Sequence, residues 1–271
     1  DITRPTISSI TVSSNNSTST LAKESNTITF KVGFSESVTL SNASDVKVPF
    51  TIGTSTQQQL AIAQSTTTEP IGGTANAINF TYSVPSDVNG AVALAGEHLI
   101  LANDANVLDA ATNELTGKMS SLTGSVTVDT SKPSAPTFLD ISSNLNNSTP
   151  TIYGTAEAGS TVKLFNGITP LGQATADNNG NFSITTSSLQ DGSYSLTATA
   201  TDAAGNTSLS SSALSITIDT TAPNAPTSLQ NTSNSNNSTP TITGTAEAGS
   251  TVELFNGSTL LGTAAVDING N

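Results

Sequence analysis

The chain has 271 residues, 20 acidic against 7 basic, a net charge of −13 and no cysteine. The absence of cysteine excludes disulfides, thiol catalysis and Cys-based zinc sites. With Arg4 and the lysines as its only bases it has little from which to build a phosphate-tracking groove, so no nucleic-acid partner is expected. No apolar run reaches the roughly 18 residues of a spanning helix, so no membrane insertion is expected either.

About a third of the residues are Ser or Thr, charged residues are only 10% and aromatics 4%. A disordered chain of this polarity would carry more charge. Thr, Val, Ile and Ser with many Gly and Asn instead suit strands and turns.

In chain order, Asn26–Phe34, Val46–Ile52 and Ile78–Val84 alternate as strands, and Gly124–Val128 is a last strand before Asp129. The stretch from Ala91 to Leu108 is Ala/Leu-rich and reads either as a helical turn or as two more strands. Next come short β-rich runs at Thr137–Ile141, Thr151–Thr155, Thr161–Phe165, Leu171–Ala176, Phe182–Thr186, Tyr194–Thr201 and Ala213–Ile218. Turn signals separate them: Asn166-Gly167, Asn179-Gly180, Asp191-Gly192 and Gly205-Asn206. Seven strands in about 90 residues is the count of an immunoglobulin-like sandwich without its Cys and Trp core. Tyr153, Phe165, Phe182 and Tyr194 are expected to help fill that core.

Self-comparison then organises the chain. Residues 137–181 and 227–271 align without a gap, and 32 of those 45 positions are identical. The lead-ins Asp129-Thr-Ser-Lys-Pro133 and Asp219-Thr-Thr-Ala-Pro223 also match, and Asp1-Ile-Thr-Arg-Pro5 opens the chain in the same way. Three modules are expected: a longer variant over 1–128, a full repeat over 129–218, and the first four strands of another over 219–271. The fold class is therefore all-β, with tandem immunoglobulin-like sandwich modules in an elongated array. Because Asp1 and Asn271 both fall inside repeated motifs, the natural chain is expected to continue, the alternative being that a neighbouring chain lends the third module its missing strands, and its expected partners are neighbouring modules of the same longer chain.

A parity argument places the acids. In a sandwich of up-and-down neighbours, the loops after strands two, four and six share the pole that the linker reaches. In the second module these are Ala156-Glu157-Ala158-Gly159, Asp177-Asn178-Asn179-Gly180-Asn181 and Asp202-Ala-Ala-Gly-Asn206, joined by Asp129. The third module repeats Asp219, Glu247 and Asp267-Ile-Asn269-Gly-Asn271, and the first has Asp1, Glu36 and Asp109-Ala-Ala-Thr-Asn113. Like charges gathered in this way call for a cation. Oxygen donors from Asp, Glu and Asn without nitrogen or sulfur ligands suit Ca²⁺, which takes six to eight of them. The plainer alternative is that these are solvated turns whose Asp and Asn satisfy their own backbone.

The motifs Gly154-Thr-Ala-Glu-Ala-Gly-Ser-Thr-Val, Asp177-Asn-Asn-Gly-Asn-Phe, Ala200-Thr-Asp-Ala-Ala-Gly-Asn and Ile218-Asp-Thr-Thr-Ala-Pro resemble bacterial immunoglobulin-like repeats. Such repeats occur in giant repetitive, calcium-binding cell-surface adhesins, as RTX/BapA-like extender modules. The resemblance covers residues 129–271 and is weaker over 1–128, where Thr112 replaces the usual Gly. It implies an extracellular, cell-surface spacer stiffened by calcium at its junctions, serving attachment or biofilm formation, with any cell-surface or glycan target held by a distal domain. The competing readings are a glycan- or surface-binding module of the same protein and a subunit of an extracellular filament or surface layer. No enzyme is expected: His98 is the only histidine and has no nucleophile arrangement, and few aromatics are present to hold a sugar. The Asn-x-Ser/Thr sequences at 15–18, 146–149 and 236–239 read as polar turns.

Overall fold

The computed structural model describes residues 2–64, 69–71, 75–103, 105–119, 121–139, 144–233 and 236–271. Among them the chain is β-strand and turn apart from one 3₁₀ turn, Ala43–Asp45. By packing it divides into two units. One comprises residues 1–141, 151–187 and 195–214; the other comprises 142–150, 188–194 and 215–271.

In the first unit, Thr27–Phe34 is the spine of the leading sandwich. Its alternate residues Ile28, Phe30, Val32 and Phe34 are buried, as expected where one strand face meets a core. It pairs antiparallel with Ile7–Ser14 on one side and Ala75–Ser83 on the other. The strand Gln59–Ala63 pairs with both Ala75–Ser83 and Val46–Ile52 and so carries the hydrogen bonding from one layer to the next. Thr127–Val128 closes the path, antiparallel to Gly90–Leu94 and parallel to Leu21–Ala22. Between the layers Phe30 and Phe50 lie 4.9 Å apart and Tyr82 meets Phe50 edge-on at 5.0 Å. The Tyr82 hydroxyl donates to Gln59 Oε1 at 2.8 Å, and burial raises its pKa. The undecided stretch forms the short strands Gly90–Leu94, Ile100–Leu101 and Val107–Leu108 and contains no helix among its described residues.

The following module is a sandwich of a three-stranded sheet, ordered Thr137–Phe138, Thr151–Thr155, Asn181–Thr185, and a five-stranded one. The latter runs in the order Asn144–Leu145, Leu214–Ile218, Gly192–Thr201, Thr161–Asn166, Thr169–Thr175. Its core is aliphatic: Ile152, Val162, Leu164, Ile184, Leu196, Ala198, Ile216 and Ile218 are buried, with Phe182. Of the four aromatics expected there, Phe182 alone is fully inside. Tyr153 stands out of phase with Ile152 and Gly154 and is 47% exposed, while Phe165 and Tyr194 are half-buried. Phe165 lies in phase with Thr161 and Lys163, opposite to the buried Val162 and Leu164, and the extra residue of the adjoining bulge belongs to the partner strand at Leu171.

In the second unit the Tyr194 hydroxyl donates to the Gln190 carbonyl at 2.9 Å. A tyrosine near the start of this strand tied back to upstream backbone is a corner of the immunoglobulin sandwich. The first strand of the repeat, expected over Thr137–Ile141, is observed at Thr137–Phe138, and residues 140–143 lie outside the described residues. Further on, Thr251–Asn256 pairs with Thr259–Ala265, and Thr227–Asn231 pairs with Ile242–Thr245.

Candidate functional site

The Asp-x-x-Gly-Asn sequence makes a closed loop for local reasons. In Asp202–Asn206, Asp202 Oδ1 accepts the Asn206 amide at 2.8 Å and Oδ2 accepts Asn206 Nδ2 at 2.9 Å. The Asp202 backbone N–H donates to the Asn206 carbonyl at 3.0 Å. Gly205 supplies the left-handed φ of +88° that the tight return requires. Asp109 accepts from the amides of Ala111 and Asn113 and from Asn113 Nδ2, all at 2.8 Å, and Thr112 takes φ +66° in place of glycine.

Asp177 Oδ1 accepts the amides of Asn179 and Asn181, and Asp267 Oδ1 those of Asn269 and Asn271. Asn179, Asn181 and Asn269 thus serve these loops through their backbone. The hydrogen bonds favour the charged carboxylate. The pKa of Asp109 is lowered first by the Asn113 side chain, that of Asp177 by the Asn181 backbone N–H and that of Asp267 by the Asn271 backbone N–H.

The predicted acids come together in pairs of loops. Ala156 donates to the Gly180 carbonyl and Gly159 to the Ala176 carbonyl, which sets the Glu157 loop against the Asp177 loop. The same two bonds, Ala246 to Gly270 and Gly249 to Val266, set the Glu247 loop against the Asp267 loop. Asn206 Nδ2 donates to the Asp129 carbonyl at 2.8 Å, which joins the Asp202 loop to the linker. In the leading module, Asn113 Nδ2 donates to the Thr3 carbonyl at 3.2 Å and Ser35, next to Glu36, donates to the Thr6 carbonyl. Asp219 caps its own linker by accepting the Thr221 amide. Asp1 lies outside the described residues. Among the described residues no three acidic or histidine side chains gather as a metal site.

Sequence reasoning missed the residues that hold the linkers. In the first unit Asn89 Oδ1 accepts the Thr130 amide at 2.7 Å and Asn89 Nδ2 donates to Ser131 Oγ. In the second unit Asp191 does the same with a charge. It accepts the Thr220 amide at 2.9 Å and the Thr220 and Thr221 hydroxyls at 2.8 Å, and the Thr220 backbone bond leads in lowering its pKa. Also missed were Asn16, whose Nδ2 donates to the Ala204 carbonyl at 2.8 Å, and Lys23, whose ammonium donates to the Gly205 carbonyl at 2.6 Å. Asn16 and Lys23 lie more than 180 residues from their partners. The one available signal was the scarcity of bases in so acidic a chain.

No curated protein sequence matches the chain. Among solved structures it is similar to the biofilm-associated protein BSP domain at 16% identity, covering 80% of this chain and 30% of that one, TM-score 0.28. It is similar to a tetra-tandem repeat in the extending region of a large adhesion protein at 18% identity, covering 97% and 64%, TM-score 0.28. A third likeness is to the fibronectin(III)-like modules of Clostridium thermocellum CbhA, 14% identical, covering 79% and 93%, TM-score 0.33. The chain thus spans less than a third of the BSP structure, and at these scores the likenesses carry no argument about function. Residues 140–220, the repeat with the complete sandwich, match the family model of the bacterial Ig-like domain.

Proposed function

We propose that the chain is a structural spacer of a bacterial cell-surface protein, an extracellular array of sandwich modules that holds a binding end away from the cell and serves attachment or biofilm formation. The observation that carries this reading is the linker at Asp129–Ser131. It is hydrogen-bonded to Asn89 and Ala22 of the module before it and to Asn206 of the module after it. A linker held from both sides transmits orientation, whereas a free one does not. The match of residues 140–220 to the bacterial Ig-like domain supports the bacterial surface setting. Solution scattering tests the spacer. A compact chain of this length has a radius of gyration of roughly 18–19 Å, and a spacer must exceed it clearly; a value at the compact limit overturns the reading.

Calcium is the finer part of the proposal, and it is placed at the paired loops of Glu157 and Asp177. These two carboxylates lie on adjacent loops, and Ser160, which donates its amide to the Glu157 carbonyl, has a buried Oγ without a hydrogen-bond partner. Glu157, Ser160 and Asp177, the last through Oδ2 because its Oδ1 accepts two amides, would hold the ion by their oxygens, and the ion would neutralise charge and fasten the two loops. The first junction fits calcium less well. Both oxygens of Asp202 are taken by Asn206, and the Asp129 carboxylate accepts the Ser131 amide. Melting with calcium and with chelator tests the ion. One site saturated a hundredfold above its dissociation constant adds about 2.7 kcal/mol, and an unchanged melting temperature sinks the calcium reading.

A further inference from the structure

We infer that the junction between the first two modules is locked by the chain's own cation, the ammonium of Lys23, and holds its geometry without a metal. Four bonds form a closed ring there. Lys23 Nζ donates to the Gly205 carbonyl at 2.6 Å and Asn16 Nδ2 to the Ala204 carbonyl at 2.8 Å. Asn206 Nδ2 donates to the Asp129 carbonyl at 2.8 Å, and the Asp129 amide returns to the carbonyl of Ala22, beside Lys23, at 2.8 Å. The ring thus runs from the first module through the loop of the second and the linker back to the first.

A bond from an ammonium is shorter and about twice as strong as a neutral one. It fastens the loop of the second module to the first through a carbonyl oxygen, the kind of ligand a divalent ion would also take. An ion at the same carbonyls would need six to eight oxygens. It would also stand against a like charge.

The loop leaves room for the Lys23 ammonium. Gly205 has no side chain, and a Cβ there would meet Lys23 Nζ at 3.3 Å. The lock is also particular to this module. Asp219 donates to the Leu145 carbonyl as Asp129 does to Ala22, yet the residue after Leu145 is the neutral Asn146.

The inference rests on the spacer reading only for why stiffness matters, and its test reads the junction alone. The chain has no cysteine, so Leu101→Cys and Ile168→Cys, at exposed positions in the two modules, take spin labels specifically. The expected inter-label distance distribution is one narrow peak, unchanged between excess chelator and excess calcium. Lys23→Met should lose that narrow peak while the circular-dichroism melt of the sandwiches remains, and Lys23→Arg should keep it. A narrow peak in Lys23→Met overturns the lock, as does a wild-type peak that broadens on chelation. A compact scattering profile, by contrast, would overturn the spacer and leave the lock standing.

Discussion

Residues 151–176 and 241–266 are nearly the same sequence in two surroundings. In both, a six-residue and a seven-residue strand form a hairpin with the same register and the same bulge, Leu164/Phe165 in one and Leu254/Phe255 in the other. Burial separates them. Ile152 and Leu164 are fully buried, whereas Ile242 is 38% and Leu254 37% exposed. The hairpin is made by local pairing and turn chemistry, so it recurs wherever the sequence does. The core is made by strands from elsewhere. In the second module Asn181–Thr185 pairs with Thr151–Thr155, and Gly192–Thr201 pairs with Thr161–Asn166, so that both sheets are extended beyond the hairpin. The apolar residues at 229, 242, 252 and 254 instead line an open cleft of about 390 Å³. Repetition of sequence therefore guarantees the strands and leaves their burial to whatever packs on them.

The largest test of this contrast is one truncation made twice. Leu164→Ala should cost about 2–5 kcal/mol, as expected of a fully buried leucine. Leu254→Ala should cost a small fraction of that. Denaturant unfolding followed by circular dichroism and by amide exchange in each hairpin reads both, and equal costs would break the comparison. A glycine pair sharpens it at smaller scale. A Cβ at Gly172 would meet Ile184 Cγ2 at 2.8 Å and the Thr185 carbonyl at 3.0 Å, whereas nothing lies within 4 Å of one at Gly262. Gly172→Ala should destabilise by roughly 1–3 kcal/mol as an overpacked site, and Gly262→Ala should be neutral or slightly stabilising.

The smallest effect should be shared by the two repeats. Asp177 and Asp267 both have carboxyls held below the usual range, foremost by the backbone N–H of Asn181 and of Asn271. A folded pKa below the unfolded one stabilises above the unfolded pKa, and that contribution is lost as pH falls through the folded value. Both loops should therefore loosen only in acid below the ordinary carboxylate range. Carboxyl carbon shifts recorded against pH should show two depressed titrations of similar size. A depressed Asp177 beside an ordinary Asp267 would mean that the loop depends on the surrounding sandwich after all.

Asp-x-x-Gly-Asn, Asn-Gly and the alternating runs specify the strands, their order, the turns between them and the self-capped acidic loops, because each needs partners only a few residues away. The module repeat was equally legible, and with it the sandwich. Phase was not always legible: Tyr153 faces out because its neighbours Ile152 and Gly154 face in, and Phe165 because it alternates with the buried Val162 and Leu164. Which acids meet, which leucines are buried, and the pairing of Lys23 with a carbonyl 182 residues away are decided by the tertiary structure. Those contacts join segments far apart in the chain, and no local pattern records the partner.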